Sequence, residues 1–376
     1  MRKRLEALTG LRFVAAAMIL VAHAPSLRIP VPPFEFANAV ALFFVLSGFV
    51  LAHAYPQLDD LASIGRFLCL RVARIWPAHA FTLVVAAIVT TACLAQPFAA
   101  PQFLASLIMV HAWVPMWPWY FSFNAPSWSI STEFFFYLTF PPLIWRWRRT
   151  WWWKFLVTLA LAFGLATLGA GLSPISPDPI ITFHGLMYIN PVAMLFEFVL
   201  GIMAYSIFSR LQTRSARVGI VVGTILEIVA FWLVACFFVD HLSYLWAGHL
   251  VDNANWRGFL GHTGSVLAFP ILVIILALNR GVASRVLSTA PAILLGEISY
   301  SVYLVHWSVY TVYARYWMAP GNSPDYLGWI GCVCVAIGIA YLIWRFIEMP
   351  ARTAVRNSLK RSGEKAYADG RVVLPA

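Results

Sequence analysis

Negative charge is what this sequence has least of. Its 376 residues include 15 Asp and Glu against 26 Lys and Arg, and charged residues together make 11%, where soluble domains carry about 25%. A solvated globular surface is therefore excluded. Cysteine is scarce too: Cys69, Cys93, Cys236, Cys332 and Cys334 form no CxxC pair. Cys332 and Cys334, two apart on a helix, point in different directions. Neither a disulfide framework nor a metal site is expected. The sequence has no internal repeat and no low-complexity tract, which speaks against a transporter built on inverted repeats. The excess of 11 positive charges falls in short clusters between apolar runs and not on one polar domain. Topology explains it better than a nucleic-acid partner, and none is expected.

Apolar surface is abundant instead. Hydrophobic residues make 61% of the chain, with a mean hydropathy of +0.78, which reads as an all-α polytopic membrane protein. The aromatic share of 16%, with 17 Trp, suits interfacial belts and equally the stacking surfaces of a sugar site. Apolar windows lie near 8–25, 36–55, 76–95, 103–116, 128–146, 152–172, 186–208, 217–239, 261–279, 292–317 and 326–347. The window 103–116 is short and aromatic and reads as interfacial or re-entrant, leaving about ten full spans.

Lys and Arg should crowd the cytoplasmic connections. With the N-terminus inside, those connections hold Arg2, Lys3 and Arg4, then Arg66, Arg71 and Arg74, then Arg146, Arg148, Arg149 and Lys154, then Arg210, Arg214 and Arg217, then Arg280 and Arg285, and the tail from Arg345 to Arg371. Only Arg28, Arg257 and Arg315 fall on the other side. Both termini are expected to be cytoplasmic, with a transmembrane unit over 1–348 and a basic, solvated tail over 349–376.

The first window, Leu8 to Ala24, carries both Arg12 and His23. Eleven positions apart, they share one helix face and sit about 16 Å apart along the axis. Ionisable groups in a spanning helix usually face a wet interior and mark a function. A secretory signal peptide is the competing explanation, given the basic start and Ala22-His23-Ala24, but it has no use for Arg12.

Four further stretches carry chemistry. Arg71 and Arg74, at i and i+3, present two guanidinium forks on one face, suited to a phosphorylated ligand or simply to positive-inside charge; Pro77 is expected to end that helix or open the next. From Trp113 to Trp128, aromatic rings with Asn124 and Ser127 suit a carbohydrate on the outer side or an interfacial belt. Glu133, in Ser127-Trp128-Ser129-Ile130-Ser131-Thr132-Glu133, is the only acid between Asp60 and Asp178; it needs a partner, His23 or an arginine, or else serves as a helix-start carboxylate. Ser299, Tyr303 and His306 make one polar helix face, for function or for bonding between helices. The other histidines, His53, His79, His111, His184, His241, His249 and His262, read as satisfied or solvent-facing.

Arg12 followed by ten residues and His23, FFVLSGFVLA at 43–52, Arg71-x-x-Arg74, SWSISTEFFFY at 127–137 and ISYSVYLVHW at 298–307 together resemble the membrane-bound acyltransferase 3 family. The resemblance covers nearly the whole chain. It implies about ten membrane helices and transfer of an acyl group, usually acetyl from acetyl-CoA, to hydroxyls of lipopolysaccharide, exopolysaccharide, peptidoglycan or Nod factor, with macrolide acceptors in some members. Some relatives append an outer SGNH-type domain that this sequence ends too soon to hold; transfer is then expected within the membrane unit or with a separate periplasmic partner. The Phe-rich run after Glu133 also lacks a polar residue often found there.

On this reading Arg71 and Arg74 bind the phosphates of an acyl-CoA co-substrate, and Arg12 guides its arm or stabilises developing charge. His23 is the general base, oriented by Glu133. Trp128, Ser129, Asn124, Tyr303 and His306 receive a carbohydrate or glycolipid acceptor. Direct transfer and a covalent acyl-enzyme both stay open. No metal is required. The expected location is the bacterial inner membrane, in contact with lipid. The alternative is a flippase for glycolipid or polysaccharide precursors.

Overall fold

The computed structural model describes residues 5–31, 38–213, 215, 218–239, 246, 248–318, 321 and 323–368. Of the residues singled out above, Arg2, Lys3, Arg4, Arg214, Arg217, Arg371 and His241 lie outside these, as does the tail beyond 368. The helices are α1 (Glu6–Ala22), α2 (Ala39–Ala54), α3 (Leu61–Ile88), α4 (Ala100–Leu107), α5 (Trp117–Tyr120), α6 (Trp128–Ile144), α7 (Trp147–Gly169), α8 (Pro191–Leu211), α9 (Ile220–Val239), α10 (Ala254–Val266), α11 (Ala268–Leu278), α12 (Val282–Leu287), α13 (Ala290–Tyr316), α14 (Tyr326–Ile343) and α15 (Met349–Ala368). Among the described residues the only strand-like pairing is one bridge between Met116 and Ile181.

Six helical runs among the described residues are long and apolar enough to cross a membrane: Leu61–Cys93, Trp147–Gly169, Pro191–Leu211, Ala254–Leu278, Ala290–Tyr316 and Tyr326–Arg361. The apolar helices at Ala39–Ala54 and Ile220–Cys236 are shorter, and α1 and α6 have 17 residues each. Hydropathy windows outnumber these six because they also count apolar residues beyond a helix end. The window 103–116 is broken into α4 and a 3-10 turn at His111–Trp113, too short to cross.

Large apolar side chains such as Leu61, Leu168 and Leu327 lie on the outside, as in a protein whose solvent is lipid. With lipid outside, helices gain little from burying more hydrocarbon, so close backbone packing takes over. Two crossings show it. A Cβ on Gly48 of α2 would sit 2.0 Å from the Phe198 carbonyl oxygen of α8, and one on Gly201 of α8 would sit 2.0 Å from that of Val45. Gly296 of α13 makes a second close approach, to the Thr9 carbonyl of α1, while Gly10 of α1 meets the Leu287 carbonyl at the end of α12. Aromatic rings fill the space between α2, α6 and α8, with Phe136 stacked on Phe198 at 4.7 Å and meeting Phe44 edge-on at 5.0 Å.

Two local expectations are corrected. Pro77 neither ends nor opens a helix; it lies inside α3. A helix braced by packed neighbours tolerates such a break; α13 lies alongside, its Tyr300 hydroxyl donating to the Ile75 carbonyl at 2.8 Å. Within the tail, read from sequence as a solvated segment, residues 349–368 form a helix. A π-turn at Trp344–Glu348 joins α14 to α15, and α15 packs along α3.

Candidate functional site

Arg12 of α1 and Arg71 and Arg74 of α3 turn toward a cavity of about 90 Å³, which Glu133, Ser129, Tyr137, Tyr300 and Tyr303 also line. The helical spacing of Arg71 and Arg74 puts them on the same side of α3, and the glycine crossing of α1 with α13 draws Arg12 in. Arg71 Nη2 donates to the Tyr55 hydroxyl at 3.2 Å, with the guanidinium over that ring at 5.3 Å. Its Nε is buried without an acceptor. Among the described residues, Arg12 and Arg74 make no hydrogen bond and no ion pair within 4.0 Å. Glu133 does not neutralise them at contact distance: its Oε1 accepts from the Tyr137 hydroxyl at 2.6 Å and from Ser47 Oγ at 3.4 Å. Arg12 does lie within electrostatic range of Arg74, Glu133 and Glu348.

His23 is not in contact with Glu133, contrary to expectation. It ends α1, and its Nδ1 lies 2.9 Å from Nε2 of His306 on α13. The rings are 17° from parallel, with Trp307 edge-on to His23 at 5.2 Å. His306 Nδ1 is 2.7 Å from the Tyr303 carbonyl oxygen. A carbonyl only accepts, so Nδ1 of neutral His306 carries the hydrogen and Nε2 is its acceptor. His23 Nδ1 then donates to that acceptor, and Nε2 of His23 is left with its lone pair free. His306 thus fixes the tautomer of His23, the role that sequence reasoning gave to Glu133. Tyr303 lines the cavity and lies 6.0 Å from His306, ring to ring, linking the arginines to the imidazoles.

The residues expected to receive a sugar are largely turned to internal bonding. Asn124 Nδ2 donates to the Leu304 carbonyl at 3.0 Å. Ser129 Oγ donates to the Tyr303 hydroxyl at 2.9 Å, and that hydroxyl donates to the Pro126 carbonyl at 2.8 Å. Half-buried Trp128 meets Phe44 edge-on. These contacts clamp the start of α6 to α13.

Sequence reasoning missed Tyr137, one turn after Glu133, and Glu348, a lone acid at the end of the last apolar window. Glu348 is buried and accepts from Ser301 Oγ of α13. It also missed that His262 reaches the buried Glu197 at 2.7 Å. Two other buried charges are closed by backbone. Glu227 of α9 accepts from the amides of Gly281, Ala283 and Ser284 at 3.2, 2.7 and 3.1 Å. Lys154 donates to the carbonyls of Pro142, Leu143 and Trp145 at 2.9, 2.9 and 2.6 Å. Among the described residues no cluster of His, Cys, Asp and Glu is arranged to hold a metal.

The acyltransferase 3 family, described as an acyltransferase domain, matches residues 5–345. The acyltransferase MdmB of Streptomyces mycarofaciens is 29% identical over 90% of this chain and 90% of its own. Nodulation protein 10 of Rhizobium leguminosarum bv. viciae is 27% identical over 86% of this chain and 84% of its own. Peptidoglycan O-acetyltransferase OatA of Listeria monocytogenes is 24% identical over 97% of this chain but 59% of its own length. No solved structure matches. The arrangement of Arg12, His23, Arg71, Arg74 and Glu133 around one cavity and one imidazole pair therefore sits in a membrane-type helical acyltransferase: the chain belongs to the acyltransferase 3 family.

Proposed function

We propose that this acyltransferase moves an acyl group, acetyl by expectation, from cytoplasmic acyl-CoA to a carbohydrate hydroxyl at or beyond the outer face of a bacterial inner membrane. The observation that carries the reading is the set of guanidiniums of Arg12, Arg71 and Arg74 around a narrow cavity, short of acceptors and joined through Tyr303 to an imidazole with a free lone pair. The cavity that these arginines line takes the pantetheine arm. The nucleotide phosphates stay at Arg71 and Arg74, whose forks match phosphate oxygens, and Arg12 faces the charge that develops on the thioester oxygen.

His23 Nε2 removes the proton of the acceptor hydroxyl as its oxygen attacks the thioester carbonyl. The new C–O ester bond forms, the C–S bond breaks, and the leaving thiolate takes the proton from His23. His306 and the Tyr303 carbonyl hold the imidazole in the required tautomer. The acceptor class rests on the Listeria relative, named for peptidoglycan. Acceptors on the outer face accord with about ten spans and both termini inside, with 1–348 as the transmembrane unit and 349–376 as a basic cytoplasmic extension. A separate periplasmic partner is compatible with this scheme.

The test is incubation of the purified protein with labelled acetyl-CoA and peptidoglycan or lipopolysaccharide fragments. Labelled glycan with stoichiometric CoA release is expected, and His23→Ala removes both. Glycan movement across vesicles without CoA release would instead indicate a flippase and overturn the reading.

A further inference from the structure

Beyond the arginines that line the cavity, one more lies on a helix packed against α3, an element that hydropathy leaves out. The π-turn at Trp344–Glu348 carries the chain from α14 into α15, which lies against α3. Such turns insert a residue and re-aim a helix face, often beside functional sites. Here Glu348 points inward, buried and hydrogen-bonded by Ser301 of α13. Arg352, one turn later on the same face, is half-buried. It lies within electrostatic range of Arg74, Arg71, Glu348 and Glu297. Arg356 and Lys360 continue this face at i+4 spacing and are exposed, so it runs from a buried carboxylate to a solvated basic stripe.

These arginines find few hydrogen-bond acceptors within the protein. Among the described residues, Arg74 and Arg352 make no hydrogen bond or ion pair, and Arg71 Nε is buried without an acceptor. Of the nearby carboxylates, Glu133 accepts from Tyr137 and Ser47 and Glu348 from Ser301, and neither meets these guanidiniums at hydrogen-bond distance. Like-charged guanidiniums brought together by two different helices repel unless an anion lies between them.

We infer that Arg352 of α15 completes, with Arg71 and Arg74 of α3, a three-arginine site for a ligand bearing more than one phosphate group. This rests on the acyl-CoA reading, because the nucleotide end of CoA carries a diphosphate and a separate ribose phosphate. Arg352 binds the donor and takes no part in the chemical step.

The experiment measures binding of tritiated acetyl-CoA, and of acetyl-pantetheine, which has no phosphate, to the full chain in detergent. Arg352→Gln is expected to weaken acetyl-CoA by about tenfold or more and to leave acetyl-pantetheine unchanged, with partial recovery in Arg352→Lys. Arg71→Gln should behave likewise. If Arg71→Gln weakens acetyl-CoA and Arg352→Gln does not, the inference fails while the donor reading stands. Equal loss for both ligands in Arg352→Gln marks a structural residue and also overturns it. If the unmodified protein binds no acetyl-CoA, the donor reading itself fails.

Discussion

Buried charge is handled in two opposite ways within this helical bundle. Glu227 and Lys154 are closed: three backbone amides converge on the carboxylate and three carbonyls on the ammonium. The amides come from the start of α12 and the carbonyls from the end of α6, so each charge also meets the favourable pole of a helix. Arg12, Arg71 and Arg74 are open, with far fewer acceptors than donors and a cavity in front of them. An unsatisfied buried ion is costly. A chain that closes some charges completely and leaves others bare reserves the bare ones for something that arrives from outside.

The two sets should therefore respond differently to substitution. Largest is the effect at the open imidazole: His23→Ala is expected to lower transfer by about 10²- to 10⁴-fold at unchanged protein level in membranes, and retained activity would remove it from the chemistry. Loss of the group that orients it is milder. His306→Ala should reduce kcat by about 10- to 100-fold, the scale of other orienting partners, with donor KM little altered. Arg74→Gln should raise the KM for acetyl-CoA by about tenfold without lowering the thermal midpoint in detergent, since it removes a charge that has no partner. The closed set reverses the pattern. Glu227→Ala leaves three amides unsatisfied and should destabilise the protein by about 1–3 kcal/mol, read as a lower unfolding temperature, while specific activity of the folded fraction stays unchanged. Should Arg74→Gln destabilise and Glu227→Ala spare stability, the division between open and closed charges is wrong.

Much of the open set was legible in sequence. Arg12, Arg71, Arg74 and Glu133 are ionisable residues in or beside apolar runs, and such residues are conspicuous whatever the fold. Their mutual contacts were not. Helical periodicity relates residues three or four apart, whereas His23 and His306 are 283 positions apart, and no local rule chooses His306 over Glu133 as the partner. Asn124 and Ser129 fit a sugar site by composition, yet composition does not tell where a hydrogen bond goes, and theirs go to α13. Pro77 misled because a proline rule drawn from water-soluble helices is relaxed where packed neighbours brace the helix. Glu348 was hidden by the basic tail beside it, although a lone acid at the end of an apolar window was the same kind of signal that exposed Glu133.

The bare backbone contact between α1 and α13 sets more than packing. Gly296 lies well over two helical turns from the imidazoles, yet its close approach to Thr9 helps set how α1 and α13 lie along each other, and with them His23 and His306. A methyl group on Gly296 would come within 1.9 Å of the Thr9 carbonyl oxygen, so the two rods would have to part and shift. The distance between His23 Nδ1 and His306 Nε2 is thus tied to a remote point by the absence of a side chain, and a change at Gly296 should be felt at the imidazole pair without touching it.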